Sequence, residues 1–343
     1  MNDLNQYTSQ TADWRKTLRQ NTHRTYFVIF LFCLIYLGIG LLIDMFMCVQ
    51  TYPDVPTDQL FHALITFQIF PIATVVMLVV AGISLFVTYS MYDTLMLLGT
   101  EYHEVTPDTA RTVEETQLYN VVEEMKIAAA LQYMPKVYII DADYMNAFAS
   151  GYSEKSAMVA ITRGLMQKLN RDELQAVMAH ELSHIRHLDI KLTLTASLLA
   201  NLMIMVLDMF FYNAMFSRRS NDDRKNSFAM IILLLRYLLP VINVFILLYL
   251  SRKRELMADA GCVELTRASQ PLANALLKIN DDYAKNSDRY NANPTPHENV
   301  RREAYIFDPT QAGISHLTSV SDMFSTHPSL QERLAALGYK LRQ

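Results

Sequence analysis

The chain has 343 residues and a formal net charge of −4, and 19% of it is charged against the roughly 25% of an ordinary soluble domain. Its 51% hydrophobic content is gathered into a few uncharged blocks, which excludes a simple soluble domain. The near-neutral charge balance gives no reason to expect nucleic acid as a partner, and three cysteines provide no disulfide framework, which fits a reducing compartment.

Residues 1–24 form a polar N-terminal segment with Arg15, Lys16, Arg19 and Arg24 ahead of the first apolar block. That block, residues 25–43 (TYFVIFLFCLIYLGIGLLI), carries no charge and is about 19 residues long, close to the ~20 that cross a ~30 Å hydrocarbon core. A signal peptide fits poorly, because the leader is long and polar and no small-residue cleavage site follows. A second uncharged run covers residues 59–92 and contains Pro71, which a membrane helix tolerates. Residues 25–92 are therefore expected to form two transmembrane helices. The loop between them holds Asp44, Asp54 and Asp58 and no Lys or Arg. The positive-inside rule sets that loop outside, with the N-terminus and everything from Asp93 in the cytoplasm.

Within residues 93–191, Leu118, Val121, Val122, Met125, Ala128 and Ala129 follow the i, i+3, i+4, i+7 spacing of an amphipathic helix that Pro135 stops. KVYII (136–140) and MVAIT (158–162) are rich in β-formers. Between them NAFASGYSEKS is rich in turn residues, with Asn146 to Ala149 as a short edge strand. Asn170 reads as the N-cap of the next helix, with Asp172 and Glu173 in its first turn. This helix is expected to continue into the third apolar block.

Residues 192–250 hold the third and fourth apolar blocks, read as a hydrophobic hairpin that either spans the bilayer or is partly sunk into it. Asp208 ends the third block and Arg236 sits inside the fourth. A charge at mid-bilayer costs about 2.5–3.5 kcal/mol, so Arg236 must face protein, water or an interface. The intervening RRSNDDRK (218–225) is basic on what should be the outer side, which favours a hairpin that dips in. Residues 251–343 are polar again, with a helix through about Thr266, another after Pro271, a loop through Asn293-Pro294-Thr295-Pro296 and a last helix begun by Pro328. The expected fold class is an integral membrane α-helical protein with a cytoplasmic α+β domain interrupted by a hydrophobic hairpin.

In MAHELSHIRHLDI (178–190), His180 and His184 stand one helical turn apart on one face. Two imidazoles so placed can share one Zn²⁺ at ~2.0–2.1 Å per bond. Glu181, beside the first, can reach the open side of the metal as general base for a water. The bland alternative is a solvated polar helix face. A catalytic zinc takes three protein ligands and leaves the fourth position to water. Glu255 in RELMAD can be the third, with Asp259 one turn on accepting a ligand imidazole N–H. Such a pair of acids is a weak signal alone, and its location strengthens it. The HExxH helix leads into one arm of the hairpin and Glu255 leaves the other, so both return to one membrane surface. His187 points the same way as His180, but ~10.5 Å of helical rise separates them, too far to converge on one ion. Zincins that draw a third histidine from the same segment break the helix with Gly, whereas Leu188 and Asp189 follow here. Cys262 reads as a buried helix contact, and His297 has no assigned role.

The runs NAFASG, RDELQAVMAHELSHIRHLD, SRKRELMADAG and FSTHPSLQERLAAL, with the two pairs of hydrophobic segments, resemble the HtpX family of membrane-bound zinc metallopeptidases. That family is of gluzincin type and related to the type-1 CAAX prenyl protease. The resemblance covers nearly the whole chain and departs at His187-Leu188, where bacterial members often carry Asn-Gly. It implies a zincin-like metallopeptidase domain built from residues 93–191 and 251–343, on the cytoplasmic side of a bacterial inner membrane. It also implies one Zn²⁺ per chain on His180, His184 and Glu255, with Glu181 as base, and cleavage of membrane or misfolded proteins in envelope quality control. The matching family segment brings His327 toward the metal, where an imidazole would stabilise the oxyanion. The other reading of His327 is a plain helix start, either with Pro328 in the first turn or with Ser329 and Glu332 as a capping box instead. Asn146 and Ala147 would pair with an extended substrate as an added strand. Two other function classes stand against this one. An adaptor with a structural zinc would have no need of Glu181, and a transporter using Asp208 and Arg236 would need more spans.

Overall fold

The β-forming runs of the sequence assemble into a four-stranded sheet. The computed structural model describes residues 4, 7–9, 14–97, 100–151, 153–187, 189–216, 223–292, 305–307 and 327–341; His297 and the loop at 293–296 lie outside them. The chain separates into two units, one of Met1–Arg24, Tyr89–Leu192 and Leu248–Gln343, the other of Thr25–Thr88 and Thr193–Leu247.

The first unit holds β1 (Tyr7–Ser9), β2 (Tyr102–Val105), α4 (Val113–Ala128), β3 (Lys136–Ile140), β4 (Ala147–Ser150), β5 (Met158–Thr162), α5 (Arg163–Lys168) and α6 (Arg171–Arg186). It also holds the later part of α8 (Asp223–Thr266), α9 (Gln270–Ala292), a short α10 (Leu330–Ala336) and β6 (Tyr339–Leu341). The sheet order is β2-β3-β5-β4, with β3 parallel to β5 and β4 antiparallel to β5 at one edge. β5 is buried along its whole length and β3 along all but its first residue, as expected of strands covered on both faces. Asn146 to Ala149 is thus an edge strand, as its sequence indicates, shifted by one residue.

α6 packs against the sheet and α4 through Leu174, Val177, Met178 and Leu182. Its start is fixed by a capping box in which Glu173 N donates to Asn170 Oδ1 and Asn170 N donates to Glu173 Oε2, both at 2.9 Å. Lys278 of α9 adds a 2.7 Å contact to the same carboxylate. α6 ends at Arg186 with His187 as C-cap, and α7 (Asp189–Phe216) begins after it. The helix expected to run on into the third apolar block therefore ends at its C-cap His187, and Asp189, the first residue of α7, contacts His184. β1 and β6 pair antiparallel, Tyr7 opposite Leu341, so the segment before the first apolar helix is bound to the chain's last strand.

In the second unit, α1 (Trp14–Thr51) continues past the expected end of the first span. Asp44, read in the sequence as an external loop charge, is a buried helix residue. Its carboxylate accepts hydrogen bonds from Ala73 N at 2.7 Å, Thr74 N at 3.0 Å and Thr74 Oγ1 at 2.7 Å. The two amides are orphan donors at the start of α3 (Ile72–Leu97), whose dipole also favours an anion there. The second uncharged run is not one helix either: α2 (Thr57–Ile65) stops in a turn where Phe67 takes φ 58°, and α3 starts directly after Pro71. Asp44→Ala leaves those donors buried and unpaired and is expected to cost about 2–3 kcal/mol. A fall of several degrees in the melting temperature of the detergent-solubilised chain would show it.

Ile43, Phe46, Met77, Met203, Leu207 and Ile232 form the core of this unit, while Phe27, Phe30, Ile83, Phe86 and Met209 are exposed. Among the described residues, Cys33–Thr51 and Met230–Thr266 are long and apolar enough to cross a membrane, and Ile72–Ser84 and Ala200–Tyr212 are shorter apolar helices. Arg236 donates to Asp208 and lies 4.2 Å over the Phe211 ring. The two charges that interrupt the apolar blocks thus neutralise each other.

Candidate metal centre

Two helices of the first unit supply the site. α6 carries His180, Glu181 and His184, and α8 carries Glu255 and Asp259. One ligand atom each from His180, His184 and Glu255 lie within 4.8 Å of one another. His180 Nε2 is 3.2 Å from His184 Nε2 and 3.6 Å from Glu255 Oε2, and His184 Nε2 is 3.5 Å from Glu255 Oε1. Ligands bound at ~2.0–2.1 Å to a tetrahedral ion stand about 3.3 Å apart, so these two nitrogens and one carboxylate fit a zinc-sized cation.

Each imidazole is oriented from behind. Asp259 Oδ1 lies 3.1 Å from His180 Nδ1, and Arg333 of α10 holds Asp259 through Nε at 2.9 Å and Nη2 at 2.6 Å. Asp189 Oδ2 lies 2.9 Å from His184 Nδ1, and Arg254 Nη2 faces Asp189 Oδ1 at 2.8 Å. A carboxylate on Nδ1 keeps the proton there and leaves the Nε2 lone pair for a metal. Burial disfavours a proton on His180, but its contacts with Asp259 and Glu255 outweigh this and hold it at about 9. Burial drives His184 down to about 4.

Glu181 is 1% exposed, and neither of its carboxylate oxygens has a hydrogen-bond partner among the described residues. Such a group is costly to fold around and marks a place for water or ligand. Burial pushes its carboxyl above the ordinary value, against the pull of His180 and His184, the direction useful to a general base. His327 is buried with Nδ1 3.5 Å from Glu255 Oε2, beside the ligand set but outside it. Ser329 and Glu332 form the capping box of α10, so the helix-start reading of this segment is the one its local geometry displays.

Asn146 and Ala147 are fully buried at the start of β4, next to α6. His187 caps α6 and takes no part in the ligand cluster. Cys262 donates through Sγ to Ala176 O at 3.2 Å, a helix-to-helix contact. Asp189, Arg254 and Arg333 were assigned no role from sequence; the one signal for Asp189 is an acid closely following the second histidine. Gly261 sets the spacing of the two helices, because a methyl there would meet Ser183 Oγ at 2.0 Å and Ser183 Cβ at 2.9 Å. Ser183 lies between the two histidines. Gly261→Ala is expected to cost about 1–3 kcal/mol by overpacking and to weaken zinc binding as α6 and α8 separate. Thermal melting and competition with a chromogenic chelator would measure the two effects.

Residues 112–340 match Peptidase family M48. A "Protease HtpX homolog" of Helicobacter acinonychis (strain Sheeba) is 39% identical over 325 residues, covering 95% of this chain and 98% of its own. One from Helicobacter pylori (strain Shi470) is 37% identical over 330 residues, covering 96% and 99%. Among solved structures, S. mikatae Ste24p shares the fold at a TM-score of 0.51 and 18% identity, over 97% of this chain and 68% of that one.

Proposed function

The chain belongs to peptidase family M48 and is a metalloprotease related to the HtpX proteases; from this premise we propose that it is a membrane-embedded zinc endopeptidase acting on membrane or unfolded proteins. The observation that carries the reading is the ligand triangle of His180, His184 and Glu255, with the unpartnered, buried Glu181 beside it.

Zinc bound there would lower the pKa of a water toward ~7 and polarise a peptide carbonyl. Glu181 takes the proton of the attacking water and passes it to the leaving amine. His327 faces the carbonyl oxygen as negative charge develops on it. Asp189 and Asp259 hold the two imidazoles in one tautomer throughout, each carboxylate balanced by its own arginine. Asn146 and Ala147 present the edge of β4 to an extended chain.

The membrane setting is supported by the two long apolar helices. A catalytic domain on the same side as the N-terminus is supported by the pairing of β1 with β6, and the positive-inside rule puts that side in the cytoplasm of a bacterial inner membrane. Residues 192–250 form the hydrophobic hairpin between the two halves of that domain, and quality control of membrane proteins is the role this placement suits. Purified chain carrying zinc is expected to cleave denatured casein, to stop when a chelator strips the metal, and to resume when zinc is restored. Cleavage that survives full removal of metal would refute the mechanism.

A further inference from the structure

The edge of β4 that would receive a substrate strand already holds a piece of the same chain. Asn146 N donates to Thr162 Oγ1 and Thr162 N donates to Asn146 O, both at 2.9 Å, so Asn146 faces β5. By alternation the backbone of Ala147 faces the outer edge. There Ala147 O accepts a hydrogen bond from Ile306 N at 2.9 Å, and Asn146 Nδ2 donates to Phe307 O at 3.1 Å. The same segment reaches the metal centre: Arg333 Nη1 donates to Ile306 O and lies 3.7 Å from Glu255 Oε2. Its side chains are held by an aromatic cluster. Tyr305 OH is 3.0 Å from Tyr144 OH, the Tyr305 ring is 6.1 Å from Phe148, and Phe307 stacks on Tyr283 at 6.0 Å. All three residues are buried.

We propose that residues 305–307 are a resident occupant of the substrate-strand position, and that substrates are extended apolar or aromatic segments which displace it. This rests on the peptidase reading above. The resident segment shows what the edge accepts: a backbone N–H at Ala147 O, a carbonyl at Asn146 Nδ2, and aromatic or branched apolar side chains among Tyr144, Phe148 and Tyr283. An incoming apolar segment replaces each contact in kind, including the Arg333 bond to a carbonyl. An acidic segment would bury unpaired charge in the cluster and cannot compete. The resident therefore acts as a filter, and apparent affinity is reduced by the fraction of time the edge is occupied.

The test uses zinc-loaded full-length chain in detergent and a quenched fluorogenic peptide of apolar and aromatic residues. Ile306→Pro removes the N–H that bonds Ala147, and Phe307→Ala removes the stacking on Tyr283. Each is expected to lower KM by about threefold or more; an unchanged or raised KM in both, with zinc content and melting temperature retained, overturns the proposal. A second measurement needs neither variant. Saturating apolar peptide on Glu181→Gln protein is expected to speed amide hydrogen exchange in residues 305–307, and retained protection with peptide bound overturns the proposal. Wild-type cleavage of the peptide keeps the two readings separable. If the wild type cleaves and the segment stays in place, only the occupant role falls; if zinc-loaded wild type cleaves nothing, the peptidase reading falls and this one with it.

Discussion

Glu181→Gln is expected to keep its zinc and to lose about 10²- to 10⁴-fold in kcat, the range associated with a positioned general base. The amide is nearly isosteric with the carboxylate and does not disturb His180, His184 or Glu255, whose mutual distances set the metal site. It cannot accept a proton from water. Because both Glu181 oxygens lack hydrogen-bond partners among the described residues, the substitution breaks no contact on which the fold depends, and the melting temperature should hold. Metal analysis beside casein cleavage separates the outcomes. Loss of both zinc and activity would make Glu181 a structural residue, and wild-type activity would remove it from the mechanism.

Arg333→Leu has the larger expected effect on stability. Arg333 is 2% exposed and forks around Asp259, which is itself buried beside His180. Removing the guanidinium leaves a buried carboxylate without its cation, a change that costs about 3–5 kcal/mol. Zinc affinity should fall about 10- to 100-fold as Asp259 stops orienting the ligand imidazole. Lysine cannot restore the fork. Arg333→Leu combined with Asp259→Asn removes the stranded charge and should recover part of the stability without the affinity. A double variant no more stable than Arg333→Leu alone would show that the pair is not coupled as described.

The parts of the site legible in the sequence are those that depend on local periodicity. His180, Glu181 and His184 follow from one helical turn, and Glu255 with Asp259 from another. The capping residues Asn170 and Glu173 sit where their types predict. Contacts between distant segments were not legible. Arg333 meets Asp259 across 74 positions of chain, and Ile306 meets Ala147 from a segment with no periodicity of its own. Asp189 reads as an ordinary acid at a helix start, whereas as the first residue of α7 it contacts His184. Asp44 misleads for a related reason. A lone carboxylate in an apolar run is read as a loop charge, because two of its three partners, the first amides of α3, are backbone groups that no sequence pattern displays. Arg236 raised the opposite problem, a charge out of place in an apolar run, and its answer, Asp208, lies on the preceding helix α7.

Zinc K-edge X-ray absorption on the purified chain tests the central claim most directly. One zinc per chain with a shell of imidazole nitrogen and carboxylate or water oxygen at about 2.0–2.1 Å is the result predicted for His180, His184 and Glu255. A sulfur scatterer at about 2.3 Å, or purified active chain with no zinc at all, would contradict it.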